Sequence, residues 1–276
     1  MMPTPLVTVS WLKEHLEDED IIILDATIPI ATDKDTDEPN PIIKNARFFD
    51  LKNDFSDKLN SLPNTMPSAE AFEIGCRELG VDSNSKIVVY DAKGIYSSAR
   101  VWFMFTIMGH KNVAVLNGGL PAWLAAQGAC SEHYNTVTNR GDFKADFDSC
   151  RLKDATYLIN NIESQESLVL DARNASRFLG EVPEPRADLM RGHIPKAINL
   201  PFSNLLENGK MISKERLLAI FESLILEDKP LVFSCGSGLT ACIPILAASI
   251  ICKNKTYLYD GSWTEWGDGV LFPIEK

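Results

Sequence analysis

Along this chain, short runs that are apolar throughout alternate with longer stretches in which apolar residues recur at helical spacing. IIILD (21–25), KIVVY (86–90), LVLD (168–171) and LVFS (231–234) are of the first kind. Such runs are expected of parallel strands buried on both faces. Of the second kind is a helix predicted from Ser68, a good N-cap residue, through Leu79. Another is predicted from Ser213 through Leu226, with apolar residues at 217, 218, 220, 221, 224 and 225. The longest apolar run, Ala241 to Cys252, suits a buried helix and is too short to cross a membrane. Strands and helices alternating at this spacing predict an α/β architecture of open, mostly parallel sheets with helices on both faces.

The pattern occurs twice. A short strand ending in Asp is found at IIILDAT (21–27) and again at LVLDAR (168–173). IIKNARFFD (42–50) matches HIPKAINLP (193–201). KIVVYDAKGIYSSAR (86–100) matches PLVFSCGSGLTAC (230–242), and LNGGLPAW (116–123) matches YDGSWTEW (259–266). The offsets, 146, 151, 144 and 143 residues, keep the register to within a few positions. A repeat this long implies two similar domains and not a solenoid of short units. The polar stretch from about Ala129 to Asp154 has no counterpart. It divides the chain into a first domain over 1–130, a linker over 131–154 and a second domain over 155–276.

Composition narrows the choice of partners. With 45% apolar and 24% charged residues the 276-residue chain has the balance of a soluble globular protein. Its net charge is −11 and both halves are acidic, so nucleic acid and anionic membranes are poor partners. The N-terminus, MMPTPLVTVS, has no basic region followed by an apolar core, and so gives no export signal. The six cysteines form neither a CxxC pair nor a disulfide framework, which fits free thiols in a reducing cytoplasm. No set of residues has the spacing of a metal site, and no cofactor is expected.

The two copies differ where chemistry would be done. Aligning the strand–loop–helix units sets Asp91 opposite Cys235. Cys235 follows a strand and opens the loop Cys-Gly-Ser-Gly-Leu-Thr, at the strand end where open α/β sheets bind ligands. Gly236 and Gly238 let the backbone curl so that successive N–H groups point inward as an anion-binding nest. The helix predicted from near Thr240 adds its positive end, and Pro244 fits only in its first turn. Both effects favour the thiolate, the nucleophilic form of cysteine. Asp91 offers no such nucleophile, so the first domain is expected to be inactive.

These residues carry a family likeness. LDAR, the R-F-x-G…P-E-P-R stretch at 177–186, GHIPKAINLPF, CGSGLTA and YDGSWTEWG resemble the tandem-domain sulfurtransferases of the rhodanese family, most closely its mercaptopyruvate branch. In the first half FFD, VVYD, YSSARVWFMF and GHKNVAVLNGGLPAW extend the likeness over nearly the whole chain. The resemblance implies two rhodanese-like α/β domains, with Cys235 of the second cycling through a persulfide. It implies transfer of sulfur from 3-mercaptopyruvate to a thiol acceptor, such as thioredoxin or a small thiol, or to cyanide, with release of pyruvate. The alternative is a thiosulfate:cyanide sulfurtransferase. Thiosulfate users of the family tend to have basic side chains in the active loop, whereas the loop here is neutral.

Donor binding is carried by the resemblance onto Arg177 and Arg186, and onto the loop residues Gly236, Ser237, Gly238, Leu239 and Thr240. Arginine placement fits independently: four of the ten arginines, Arg173, Arg177, Arg186 and Arg191, fall in one 19-residue window. A guanidinium fork matches the carboxylate and carbonyl that a 2-keto acid presents side by side. For Arg173 a structural salt bridge is the equal alternative, and Arg191 could be a surface residue. The family's active-loop serine, here Ser237, is often drawn into a triad with His and Asp of the first domain. That His position falls on Ile42, and no histidine lies near Asp33 or Asp35 in sequence. Ser237 is therefore expected to act only as a hydrogen-bond donor. His193 is expected to be structural, and Trp102, Trp123, Trp263 and Trp266 to be core.

Two other classes fit less well. A cysteine phosphatase needs an arginine six residues after the nucleophile, where this chain has Ala241. A non-catalytic rhodanese-like binding or sensor module would usually lack the cysteine.

Overall fold

A computed structural model describes residues 2, 4–28, 40–224 and 228–276. Asp33, Asp35, Ile225 and Leu226 therefore lie outside the described residues. The chain forms two compact units. One comprises residues 1–58, 66–148 and 208–211; the other comprises 59–65, 149–207 and 212–276. Each unit thus contains a short segment from the half of the chain that builds the other.

The first unit is built on five parallel strands: β1 (Leu6–Val7), β2 (Ile21–Asp25), β3 (Ala46–Phe48), β4 (Lys86–Tyr90) and β5 (Val113–Leu116). Their order across the sheet is β1-β5-β4-β2-β3. The second unit has β6 (Leu152–Lys153), β7 (Leu168–Asp171), β8 (Ile198–Asn199), β9 (Leu231–Ser234) and β10 (Thr256–Tyr259), also all parallel. Their order, β6-β10-β9-β7-β8, is the first order repeated strand for strand. The duplication read from four short motifs is a duplication of topology.

Each sheet is flanked by helices whose apolar residues complete a core. β4 and β9 are buried along almost their whole length, as their continuous apolar runs require. In the first unit Leu12, Ile23, Val88, Ala114 and Trp123 form one cluster. Phe49, Phe55, Phe72, Phe105 and Phe143 form a second, packed ring against ring. The core of the second unit gathers Val169, Val232, Tyr259, Trp263 and Trp266. The helix Ala69–Glu78 begins at Ser68, whose hydroxyl accepts from Ala71 N–H, and is capped at Leu79 as predicted. The helix after Ser213 runs Lys214–Leu224. The polar stretch up to Asp148 lies along the first unit through backbone bonds such as Phe143 N–H to Val81 O. The next residues then enter the second sheet as β6.

In both sheets the chain's direction of travel reverses between the second and fourth strands of the copy. In the second unit that point lies between β7 and β9. Open α/β sheets leave a crevice there at the strands' carboxyl ends. Asp171 ends β7, and Cys235 follows β9.

Candidate active site

Cys235 is buried, with 1% of its surface exposed, and a second motif holds its loop from behind. Its N–H donates to Ser262 Oγ at 3.1 Å, and that hydroxyl donates to Tyr259 O at 2.8 Å. The carbonyl of Cys235 accepts from Trp263 N–H at 3.0 Å, and that of Gly236 from Thr264 N–H at 2.8 Å. Thr264 Oγ1 adds a third bond, to Gly236 O at 2.6 Å. These donors open the short helix Ser262–Trp266, the second part of the YDGSWTEW motif. A trans peptide points its N–H opposite its C=O. Holding both carbonyls on the helix side therefore turns the N–H groups of Gly236 and Ser237 away from it. Gly238 then takes φ +74°, in the left-handed region that favours glycine. Gly236 does not need that region; a Cβ there would stand 3.4 Å from Arg177 Nη2. The helix Cys242–Ile251 starts two residues later than predicted, after a turn at 240–241, and keeps Pro244 in its first turn.

The first unit shows what such a loop binds. Asp91 follows β4 as Cys235 follows β9, and is 1% exposed. Its Oδ1 accepts from Lys93 N–H at 2.8 Å, and its Oδ2 from Tyr96 N–H at 2.8 Å and Ser98 N–H at 2.9 Å. Gly94 matches Gly238 and also has positive φ, at +107°. In this unit the loop converges backbone donors on the side chain at the strand end. A carboxylate fills the ring of donors in one copy and a thiol stands at the same place in the other.

The arginines separate by role. Arg173 is buried and all three nitrogens of its guanidinium are engaged. Nε lies 3.1 and 3.0 Å from the two oxygens of Asp171, and Nη2 lies 2.6 Å from Oδ2. Nη1 reaches Glu184 at 2.9 Å, Nη2 also reaches Gly192 O at 2.8 Å, and the group lies 4.0 Å over the Trp263 ring. This is the structural brace foreseen as one of its two roles. Arg177 is partly exposed. Its Nε lies 3.3 and 3.1 Å from the Glu184 oxygens and its Nη2 pairs with the same carboxylate, beside Gly236. Glu184 is buried and shared by both arginines. Arg186 and Arg191 are exposed, and among the described residues Arg186 makes no side-chain hydrogen bond or ion pair. His193 is structural: Nδ1 lies 2.8 Å from Phe178 O and the ring stacks on Phe178 at 3.8 Å. His110 is buried on Ser85 O, and burial lowers its pKa. The four tryptophans expected in the core are buried.

Ser237 has a partner that the sequence did not reveal. Ile42 pairs with Ser131 in a two-stranded ribbon of the first unit. What reaches Ser237 is Asn64, from the segment 59–65 that packs in the second unit: Nδ2 donates to Oγ at 3.0 Å. Asn64 takes φ +58°, a left-handed conformation that asparagine tolerates better than most residues. Ser262 and Glu184 were also missed. The recurrence of YDGSWTEW could have flagged Ser262, and the P-E-P-R stretch could have flagged Glu184. Among the described residues no cluster of three or more His, Cys, Asp or Glu could hold a metal ion, and no helix is long and apolar enough to cross a membrane.

Comparison with known proteins shows the family. The Rhodanese-like domain family matches residues 8–126 and again 154–268. The chain is 36% identical over 285 residues to the 3-mercaptopyruvate sulfurtransferase of Escherichia coli K12, covering all of this chain and 99% of that one. It is 35% identical over 272 residues to the thiosulfate sulfurtransferase of Bos taurus, covering 95% and 91% of the two chains. The crystal structure of SseA, a 3-mercaptopyruvate sulfotransferase from Escherichia coli, superposes with a TM-score of 0.83 at 34% identity. That match covers 94% of this chain and 99% of that one.

Proposed function

Since the chain belongs to the rhodanese-like family, in two tandem copies, and is a sulfurtransferase, we propose that Cys235 is its nucleophile and 3-mercaptopyruvate its sulfur donor. The observation that carries this reading is the paired loop. The donors that close on the Asp91 carboxylate have counterparts in the N–H groups of Ser237 and Thr240, around a thiol that can take and release sulfur. The domain boundaries of the reading are 1–130, 131–154 and 155–276, with the Asp91 domain inactive. The reaction runs in a reducing cytoplasm.

The Cys235 thiolate attacks the thiol sulfur of mercaptopyruvate. An S–S bond forms, the C–S bond breaks, and its electron pair leaves on the enolate of pyruvate, which takes a proton from solvent. Arg177 and Arg186 grip the donor's carboxylate and stabilise the negative charge on the leaving enolate. The outer sulfur of the Cys235 persulfide rests among the loop N–H groups. A thiolate acceptor, from a thioredoxin-like protein or a small thiol, or cyanide then attacks that sulfur and restores the Cys235 thiolate. Thiosulfate is the second reading, favoured by the match to the bovine thiosulfate sulfurtransferase. Incubation with mercaptopyruvate and no acceptor should add one sulfur atom to the protein, mapped by mass spectrometry to the peptide holding Cys235. Cys235→Ser should abolish adduct and turnover together. An adduct on another cysteine with a fully active Cys235→Ser enzyme would sink the proposal.

A further inference from the structure

We propose that Asn64 is a positioning residue for sulfur transfer: it holds the Ser237 hydroxyl as a neutral, directed hydrogen-bond donor to the substrate. The proposal rests on the reading of Cys235 as the nucleophile. Asn64 Nδ2 donates to Ser237 Oγ at 3.0 Å. With one lone pair so engaged, the hydroxyl hydrogen is directed away from the amide. Donation into an oxygen also polarises its own O–H and strengthens it as a donor. Ser237 lies two residues after Cys235, on a partly exposed stretch of the loop, so its hydrogen is available to an oxygen of a donor bound at the thiol. The acceptor this fits is the keto oxygen of a 2-keto acid, which gains charge as the C–S bond breaks.

The position also has a conformational design. Asn64 adopts φ +58°, and Asn208, 144 residues later, adopts φ +52°. Asn64 sits in the segment 59–65 that belongs to the second unit, and Asn208 in the segment 208–211 that belongs to the first. There Gly209 closes on the loop of Asp91, so that a Cβ at Gly209 would lie 3.0 Å from Lys93 O. Each loop is thus met by the corresponding exchanged segment, and at Cys235 that segment presents the Asn64 amide to the Ser237 hydroxyl. An amide does not titrate between pH 5 and 9, so the arrangement adds no ionisation to the reaction.

The test is a double-mutant cycle on kcat/KM for mercaptopyruvate. Asn64→Ala should lower it roughly three- to tenfold, the range for one neutral hydrogen bond. Asn64→Ala combined with Ser237→Ala should be no slower than Ser237→Ala alone, because Asn64 acts through that hydroxyl. Losses that multiply would overturn the proposal. Asn64→Asp, nearly the same shape, keeps the test alive if Asn64→Ala fails to fold. Its carboxylate must accept from Ser237 and so turns the hydroxyl hydrogen away from the donor. Its kcat/KM should lie below that of Asn64→Ala at neutral pH. The ratio of the two variants should recover toward unity as pH falls through the carboxylate's titration, where ionisations common to both variants cancel. A ratio flat with pH would also overturn it. Loss of activity in Cys235→Ser with multiplying losses in the cycle defeats only the role of Asn64. Activity surviving in Cys235→Ser defeats the reading beneath it.

Discussion

Asp91 and Cys235 occupy one place in two copies of one fold, and the difference between them separates what the fold provides from what a side chain adds. The strand, the left-handed glycine three residues on and the following helix are common to both. So is the support from behind: Leu120 N–H binds Asp91 O at 3.0 Å as Trp263 N–H binds Cys235 O at 3.0 Å. The loop's frame is therefore a property of the topology. In the first unit a carboxylate satisfies the loop N–H groups permanently and ties the loop down. In the second, a thiol stands at the same place and, among the described residues, makes no such bond.

The largest effect should come from breaking that comparison on the side of stability. Asp91→Ala leaves the N–H groups of Lys93, Tyr96 and Ser98 without their anionic acceptor. It should destabilise the unit containing it by roughly 3–5 kcal/mol, as expected for emptying a buried charged hydrogen-bond site. Cys235→Ala removes no such bond and should stay within about 1 kcal/mol of the parent while losing all turnover. Urea unfolding followed by signals assigned to each unit would measure both, since two units need not unfold together. Equal costs at the two positions would mean that Cys235 is as structural as Asp91.

A second comparison lies between two arginines four residues apart. Arg173 spends its donors on Asp171, Glu184 and Gly192 O, whereas Arg177 is partly exposed beside Gly236. Arg177→Ala should lower kcat/KM for mercaptopyruvate about 10- to 100-fold, from loss of a charge-assisted bond worth ~1.5–3 kcal/mol. The loss should be smaller with thiosulfate, which has no carboxylate to grip. Arg173→Ala should instead lower the unfolding midpoint and affect both donors alike. If Arg177→Ala also hits both donors equally, Arg177 holds the loop through Glu184 and not the substrate.

Much of this was legible in the sequence because it depends on local chemistry. Apolar runs become buried strands, the second glycine of the Gly-x-Gly takes the left-handed conformation, and four motifs in register become two sheets of identical strand order. The brace at Arg173 was foreseeable because its partner Asp171 is two residues away. What escaped depends on contacts that only folding creates. Asn64 lies 173 residues from Ser237, in a segment whose place in the second unit no composition announces. The resemblance placed the serine's partner at Ile42, which the first unit instead consumes in a short antiparallel pair. Ser262 escaped for a related reason: its hydroxyl bonds a backbone N–H, a role that any small polar residue in a turn could fill.

The smallest effect concerns donor choice, and it tests whether loop charge sets it. Gly236 and Ser237 are neutral, and the charged side chain beside Gly236 is Arg177, itself paired with Glu184. Thiosulfate is a compact dianion and gains from every added positive charge, whereas mercaptopyruvate is a monoanion already matched to an arginine fork. Replacing Gly236 with Arg and Ser237 with Lys should raise kcat/KM for thiosulfate relative to mercaptopyruvate. The gain should be about 5- to 30-fold, or ~1–2 kcal/mol for partly exposed charges. Backbone conformation permits the change, because Gly236 lies outside the left-handed region and only Gly238 requires it. The cost is crowding: a Cβ at 236 stands 3.4 Å from Arg177 Nη2, and a second guanidinium there repels the first. Loss of the Ser237 hydroxyl should slow mercaptopyruvate as well, so Gly236→Arg alone must be measured to separate charge from the missing hydrogen bond. The ratio of the two donors is the readout, since damage common to both cancels from it. A parent enzyme that already prefers thiosulfate, or a ratio unmoved by Gly236→Arg, would show that donor choice is set elsewhere than in the charge of this loop.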